Sequence, residues 1–267
     1  MTIEVLICTI GRGIIKTADV LAESRNDVKY LVSFQYADNS ELNFVPDELK
    51  KRSDVSLFPV RGSGLSANRN YAMRHSLGDI ILFADDDNRY TWEYFDRLLD
   101  AFHKNPNADA ICFRSVSYKG SFQRNFPAHS FELKFCPKGY YVRSCEIALR
   151  HNNNYPEFDT HFGLGSDFLA CGEEEIFVYD LIKNGFKVIY CPITAVSTAS
   201  STTGSLFLDK ASVRRSKGAV LSAIHGYWRA LPRILKYAIF NVKGMPRLKA
   251  LSDMLCGVAY AKKIGRC

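Results

Sequence analysis

At 267 residues and 47% hydrophobic composition, the chain has ample apolar content for one principal domain with an appendage. Its eight cysteines form no CxxC pair and lie mostly inside apolar runs, which argues against a zinc site or a disulfide framework and fits a reducing cytoplasm. The net charge of +7 hides an asymmetry: residues 210–267 carry 13 Lys or Arg against one acid, Asp253, a balance of +12, so residues 1–209 carry −5.

Met1-Thr2-Ile3-Glu4 has no basic n-region and runs straight into a strand-like segment, so no secretory signal is expected. No apolar stretch reaches the roughly 18 to 20 residues that a membrane crossing needs. Strands are predicted near Glu4–Thr9, Lys29–Gln35, Val55–Val60, Asp79–Ala84 and Ala108–Phe113. Helices are predicted near Gly13–Ser24, Leu65–Ser76 and Trp92–Lys104, the last with Trp92, Phe95, Leu98, Leu99 and Phe102 on one core-facing stripe. Such alternation implies an α/β layer fold with a largely parallel sheet. Between Val116 and Pro156 the pattern loosens into an aromatic and basic stretch containing Phe122, Phe126, Phe131, Phe135, Tyr140 and Tyr141, the composition of a binding loop or of core. Order returns at Phe162-Gly163-Leu164-Gly165; Gly172-Glu173-Glu174-Glu175 then opens a helix that stops at Asn184-Gly185, followed by a strand at Lys187–Cys191. The small polar run from Ser197 to Gly204 reads as a flexible lid or a linker. Beyond Ala219, Ile224, Trp228, Leu231, Leu235 and Val242 recur at helical spacing, with Arg229, Arg233, Lys236 and Lys243 on other faces, and Pro232 is expected to kink or split the helix. A second stretch after Pro246 places Leu248, Leu251, Leu255 and Val258 among Arg247, Lys249, Lys262 and Lys263.

Asp85-Asp86-Asp87 directly follows the fourth strand. Like charges beside a core are costly unless they hold a cation or a polar ligand, and hard oxygen ligands favour Mg²⁺ or Mn²⁺; the competing reading is a solvated turn ending in Asn88. Ligands in open α/β sheets bind beyond the carboxyl ends of the strands. That rule gathers Thr9, Gly11 and Arg12, then Asp38 and Asn39, then Arg61 to Gly64, and the aspartates. Gly62-Ser63-Gly64-Leu65-Ser66, with Ser66 as the expected N-cap and Arg69 one turn on, suits phosphate oxygens, and beside the carboxylates it reads as a nucleoside-diphosphate site. Glu173-Glu174-Glu175 offers a general base, or else acids that merely favour the helix dipole.

Taken together, Cys8-Thr9-Ile10-Gly11-Arg12, Gly64-Leu65-Ser66-Ala67-Asn68-Arg69-Asn70, the strand into Asp85-Asp86-Asp87, and Phe162-Gly163-Leu164-Gly165 leading to Gly172-Glu173-Glu174 resemble, in order and spacing over residues 3–195, a family 2 glycosyltransferase of the GT-A fold. The resemblance is to bacterial enzymes that build capsule or O-antigen polysaccharide. It implies that Asp85 and Asp87 are the outer acids of a DxD motif, Asp87 on a Mn²⁺ or Mg²⁺ ion with Asp85 nearer the ribose or sugar. It places Thr9, Gly11, Arg12, Asp38, Arg69 and Asp86 around the nucleotide-sugar donor. Glu174 takes the position of the family's base, with Glu173 as the alternative because Glu replaces the commoner Asp. The implied reaction inverts the anomeric carbon and transfers the sugar to a glycan or lipid-linked saccharide.

The expected organisation is a GT-A (Rossmann-like) catalytic domain at 1–198, with a donor half at about 1–115 and an acceptor half at about 116–198, a flexible loop at 199–217, and a basic amphipathic helical extension at 218–267. The +12 extension is expected to meet the inner face of the cell membrane, making the protein cytoplasmic and peripheral, with no nucleic acid partner. The competing functions are a metal-dependent nucleotidyltransferase and a non-catalytic basic adaptor.

Overall fold

The computed structural model describes residues 1–199 and 203–266. They fall into two compact units: Met1–Glu157 with Asp180–Ser200, and Phe158–Tyr179 with Ser201–Cys267.

The first unit is built on a sheet of β1 (Ile3–Ile10), β2 (Val28–Tyr36), β3 (Val55–Arg61), β4 (Ile80–Asp85), β5 (Ala110–Ser117), β6 (Phe131–Glu132), β7 (Ile147–Arg150) and β8 (Val188–Thr198), in the order β3-β2-β1-β4-β7-β5-β8-β6. β1 pairs in parallel with both β2 and β4, β2 with β3, and β5 with β8, while the short β7 runs antiparallel between β4 and β5. β1 and β4 are apolar at nearly every position because both of their faces are buried, as parallel strands require. From β1 the chain builds outward to β2 and β3, then returns to lay β4 on the other side of β1. The strand order therefore reverses between β1 and β4, the position beside whose strand ends open α/β sheets bind ligands.

Helices α1 (Asp47–Lys51), α2 (Leu65–His75) and α3 (Trp92–Lys104) connect these strands. The helix expected near Gly13–Ser24 is instead a 3₁₀ run, Gly11–Val20, burying Ile14, Thr17 and Val20. That three-residue spacing is the 3₁₀ repeat rather than the α repeat. In α3 the side chains of Phe95, Leu98 and Phe102 are buried as expected, but Trp92 is about half exposed and donates its Nε1–H to the Glu23 carbonyl at 3.2 Å. Within the aromatic stretch, Phe131 and Tyr140 pack on Tyr190 with ring centroids 5.0 and 5.2 Å away, whereas Phe122, Phe135 and Tyr141 stay exposed. The same stretch buries an ion pair between Arg124 and Glu146, whose carboxylate also accepts from Ser115 Oγ at 2.6 Å and the Arg143 N–H at 3.0 Å.

The second unit contains the first part of α4 (Glu173–Lys183) and the helices α5 (Ala211–His225), α6 (Tyr227–Phe240) and α7 (Arg247–Lys263). Residues 158–179 thus group with the C-terminal helices rather than with the sheet. Phe158 stacks on Phe177 at 4.0 Å, Phe168 on Tyr260 at 4.6 Å, and the Cys171 N–H donates to Ser216 Oγ at 3.2 Å. α5 and α7 approach backbone to backbone: a Cβ on Gly218 would lie 1.9 Å from the Met254 carbonyl, and one on Gly257 1.9 Å from the Arg215 carbonyl. Pro232 neither splits nor ends α6; the break falls at Gly226, so Ile224 belongs to α5 and Trp228 to α6. In the expected loop at 199–217, Ser200, Ser201 and Thr202 lie outside the described residues. A 3₁₀ turn covers Thr203–Phe207, and α5 begins at Ala211. Among the described residues no helix is long and apolar enough to cross a membrane.

Candidate active site

The polar ends of β1 and β4 are joined at the reversal of strand order. Cys8 is in register with Asp85, which brings Thr9 beside the aspartate triplet. The buried Thr9 donates its hydroxyl to Asp86 Oδ2 at 2.9 Å. This contact depends on Gly13, where a Cβ would stand 2.2 Å from that oxygen and 2.5 Å from Thr9 Oγ1.

Arg69, projecting from α2, is only 2% exposed and holds Asp85 Oδ1 at 3.0 Å and Ser144 Oγ at 2.8 Å. It therefore orients Asp85 from beneath instead of standing open to a ligand. Ser144 supplies a second donor to Asp85, from Oγ to Oδ2 at 3.4 Å. Asn68, one residue earlier, spans the two neighbouring strands: its Nδ2 donates to the carbonyls of Thr9 and Ser33, each at 3.1 Å, and its Oδ1 accepts from Ser33 Oγ. The α2 N-cap is Gly64, with φ +109°, and Ser66 is buried inside the first turn rather than capping it.

The three aspartates thus have distinct environments. Asp85 is paired, Asp86 is held by Thr9, and Asp87 accepts from Asn88 Nδ2 at 3.2 Å while its backbone carbonyl receives the Tyr118 hydroxyl. Desolvation raises the pKa of Asp86 above the usual carboxylate value, the Thr9 bond opposing it and the Asp85 charge adding to it. Asp87 is raised for the same first reason, reinforced by the charges of Asp85 and Asp86. Among the described residues no three His, Cys, Asp or Glu side chains converge into a ready-made cation cage. A divalent cation nevertheless fits the chemistry of this donor set: it would relieve the crowding of the carboxylates, provided that a ligand's oxygens completed its shell.

Around this centre, Arg12 lies over the Phe44 ring at 4.8 Å, and the Cβ position of Gly11 is 3.8 Å from the Glu41 carboxylate. Both neighbours belong to the 3₁₀ turn Asn39–Phe44, which Asp38 caps by accepting the Ser40 N–H at 2.8 Å. The Ser40 side chain first, and then this backbone bond, hold the exposed Asp38 carboxyl below its ordinary pKa. Thr9, Asp85, Asp86, Asp87 and Arg69 therefore form one network, and Gly11, Arg12 and Asp38 an adjoining one.

Glu173, Glu174 and Glu175 occupy the first turn of α4 in the other unit. Glu173 is 5% exposed and Glu174 half-buried. The turn starts at Gly172, whose φ of +95° favours glycine and whose Cβ would strike Val220 Cγ2 at 2.5 Å, so α4 can begin against α5 only with glycine there.

Ser33, Asn68, Ser144 and Gly13 escaped sequence reasoning as parts of the site. Asn68 stood inside a motif noted for its arginine, but Ser33 and Ser144 lie 35 and 76 residues from it with no pattern to connect them.

Residues 38–164 match the family model described as glycosyl transferase family 2. No curated protein matches the sequence. Among solved structures, S. aureus TarS 1–349 superposes with a TM-score of 0.60 at 15% identity, covering 97% of this chain and 81% of that one. Full-length TarS gives 0.57 at 15% identity, covering 100% of this chain and 54% of that one. A TarS 1–349 complex with UDP-GlcNAc gives 0.55 at 15% identity, covering 97% and 82%. The fold is accordingly GT-A-like, a mostly parallel mixed sheet flanked by helices.

Proposed function

We propose that this protein is an inverting glycosyltransferase that moves a sugar from a nucleoside-diphosphate sugar to a hydroxyl of a glycan or lipid-linked saccharide during surface polysaccharide synthesis. The observation that carries the reading is the carboxylate cluster, organised by Thr9 and Arg69, at the strand ends where the strand order reverses. The family match over residues 38–164 and the fold shared with a protein solved with UDP-GlcNAc support the donor class.

Asp87 and Asp85 would hold Mn²⁺ or Mg²⁺, which when bound supplies positive charge against the departing diphosphate. The chain's own residues do the rest. Arg69 and Ser144 fix the direction of Asp85, and Thr9 holds Asp86 through a hydroxyl that Gly13 leaves room for. Arg12 and the Asp38-capped turn flank the nucleoside. Glu174 takes the acceptor hydroxyl proton as that oxygen attacks the anomeric carbon from the side opposite the leaving nucleoside diphosphate, which inverts the centre. The exposed Phe122, Phe135 and Tyr141 offer ring faces to acceptor sugars.

The test is turnover of nucleotide sugars with Mn²⁺ or Mg²⁺, read as nucleoside diphosphate released. Glu174→Gln should keep donor binding and lower transfer by roughly 10²-fold, the scale of a lost general base. Release of pyrophosphate instead would mark nucleotidyl chemistry and overturn the reading. A larger loss in Glu173→Gln would move the base by one residue.

A further inference from the structure

We propose that the outer face of the α6–α7 pair docks on an anionic lipid bilayer. The inner faces of the two helices are occupied: Ala230, Ile234 and Ala238 pack against Met254 and Val258. Contacts to α5 come from the Tyr237 side of α6, where Lys217 lies over its ring at 5.9 Å, and from the Gly257 and Asp253 side of α7, where Arg214 holds Asp253 at 2.6 Å. Turning each helix away from α5, past its partner, leads to a stripe that none of the described residues covers. On α6 it is Trp228, Pro232, Leu235 and Ile239, at i, i+4, i+7 and i+11, with Trp228 80% and Leu235 49% exposed. On α7 it is Leu248, Leu255 and Ala259, which with Ser252 and Cys256 line a shallow hollow, and Leu248 is 80% exposed. Because the two helices are antiparallel neighbours, these stripes open on the same side.

Cations edge this apolar centre on both margins. Arg229, Arg233 and Lys236 run along α6 at i, i+4 and i+7, about 100° round the helix from the apolar stripe. Lys249 and Lys263 stand exposed beyond the stripe on α7. The only acid in these helices, Asp253, is engaged by Arg214. A second copy laid on the face would bring cation to cation with no acid to offset it, and a nucleic acid would leave Trp228 and the leucines against phosphate. A bilayer of anionic lipid meets both demands. Headgroup phosphates take the cations, while the indole and aliphatic groups enter the acyl boundary. The inference is independent of the proposed activity, since it rests on this face alone.

The test uses the full chain and vesicles of phosphatidylcholine with or without phosphatidylglycerol. Co-sedimentation is expected only with phosphatidylglycerol and should weaken with salt. In a Trp92→Phe background, Trp228 fluorescence should be quenched by brominated acyl chains. Two separate variants, Arg229→Glu/Arg233→Glu/Lys236→Glu and Trp228→Ser/Leu235→Ser/Leu248→Ser, should each bind at least about tenfold more weakly, the first through lost attraction to the headgroups and the second through lost apolar burial. Failure of the wild-type chain to bind at low salt, unquenched Trp228, or binding as tight as wild type by either variant overturns the proposal. So does a lipid-free dimer, seen by sedimentation equilibrium, that the serine variant dissociates.

Discussion

At the carboxyl end of the sheet Arg69 is buried against Asp85 and Ser144, and in the following loop the partly covered Arg124 is paired with the fully buried Glu146, whereas on α6 Arg229, Arg233 and Lys236 stand in solvent without a carboxylate partner among the described residues. The first pattern is what folding demands of a charge near a core: desolvation must be offset by a partner. The second is what folding leaves undetermined. Cations in the sheet unit are therefore expected to register in stability, and those on the outer helical face in binding. A series of substitutions can break or sharpen that contrast.

The largest effect is expected at Arg124→Ala, which strands a fully buried Glu146. Losing one member of a buried pair costs about 3–5 kcal/mol. Burial already raises the pKa of Glu146 despite Arg124. A raised carboxylate contributes stability below its unfolded pKa and loses it as pH rises through the folded value, so the penalty should be greatest at about pH 8 and shrink toward about pH 5, as Glu146 takes a proton. Urea unfolding at the two pH values checks both statements. Equal loss at each would mean that packing of the Arg124 side chain over Phe126 and Tyr141 matters more than charge.

Next comes Gly218→Ala, on α5 where it meets the inner side of α7, the helix whose outer side is so permissive. The added methyl meets the Met254 backbone, which cannot swing aside like a side-chain end. Overpacking of this kind costs about 1–3 kcal/mol, and thermal unfolding should show it, whereas Gly244→Ala would report backbone strain without such a close contact.

The sequence made the sheet legible because apolar runs such as Ile80–Ala84 are the signature of parallel strands buried on both faces. It also located Thr9 and the aspartates, since topology alone sends strand ends to the crevice. What it could not supply was the state of each group. Arg69 read as an open phosphate ligand and lies buried under Asp85, because its partner Ser144 is 75 residues away. Ser66 read as a cap, but the helix begins one residue earlier at Leu65 with Gly64 before it. The 3₁₀ run Gly11–Val20 read as α because a few apolar residues do not separate repeats of 3 and 3.6 over so short a span. Spacing likewise carried α6 across Gly226, where the backbone ends one helix and starts the next.

A smaller effect, of opposite sign, is expected at Asp87. Its pKa is raised by desolvation and by Asp85 and Asp86, so its charge opposes folding at neutral pH. Asp87→Asn should raise Tm by about 1–3 °C at neutral pH, with no gain in acid where the wild-type carboxyl is protonated. The same variant should lose Mn²⁺-dependent binding of nucleoside diphosphate, measured by calorimetry. Stabilisation together with loss of binding is the mark of a carboxylate kept for a ligand. If stability fell instead, Asp87 would belong with Arg69 as a structural group.

The smallest expected effect is on the fold of the charge-reversed α6 variant. Arg229, Arg233 and Lys236 are exposed, and Arg233 Nη1 donates to the Arg229 carbonyl at 2.7 Å, within the helix itself. Surface substitutions away from caps and cores usually stay within about 0.5 kcal/mol each. Reversal at Arg229 also places an acid in the first turn of α6, where the helix dipole favours it, which offsets part of any lost packing. The triple variant should therefore unfold within about 1.5 kcal/mol of the wild type in urea while its affinity for anionic vesicles falls. A destabilisation near that of Arg124→Ala would erase the contrast between the two regions, because it would mean that the outer cations are as much part of the folded structure as the buried ones.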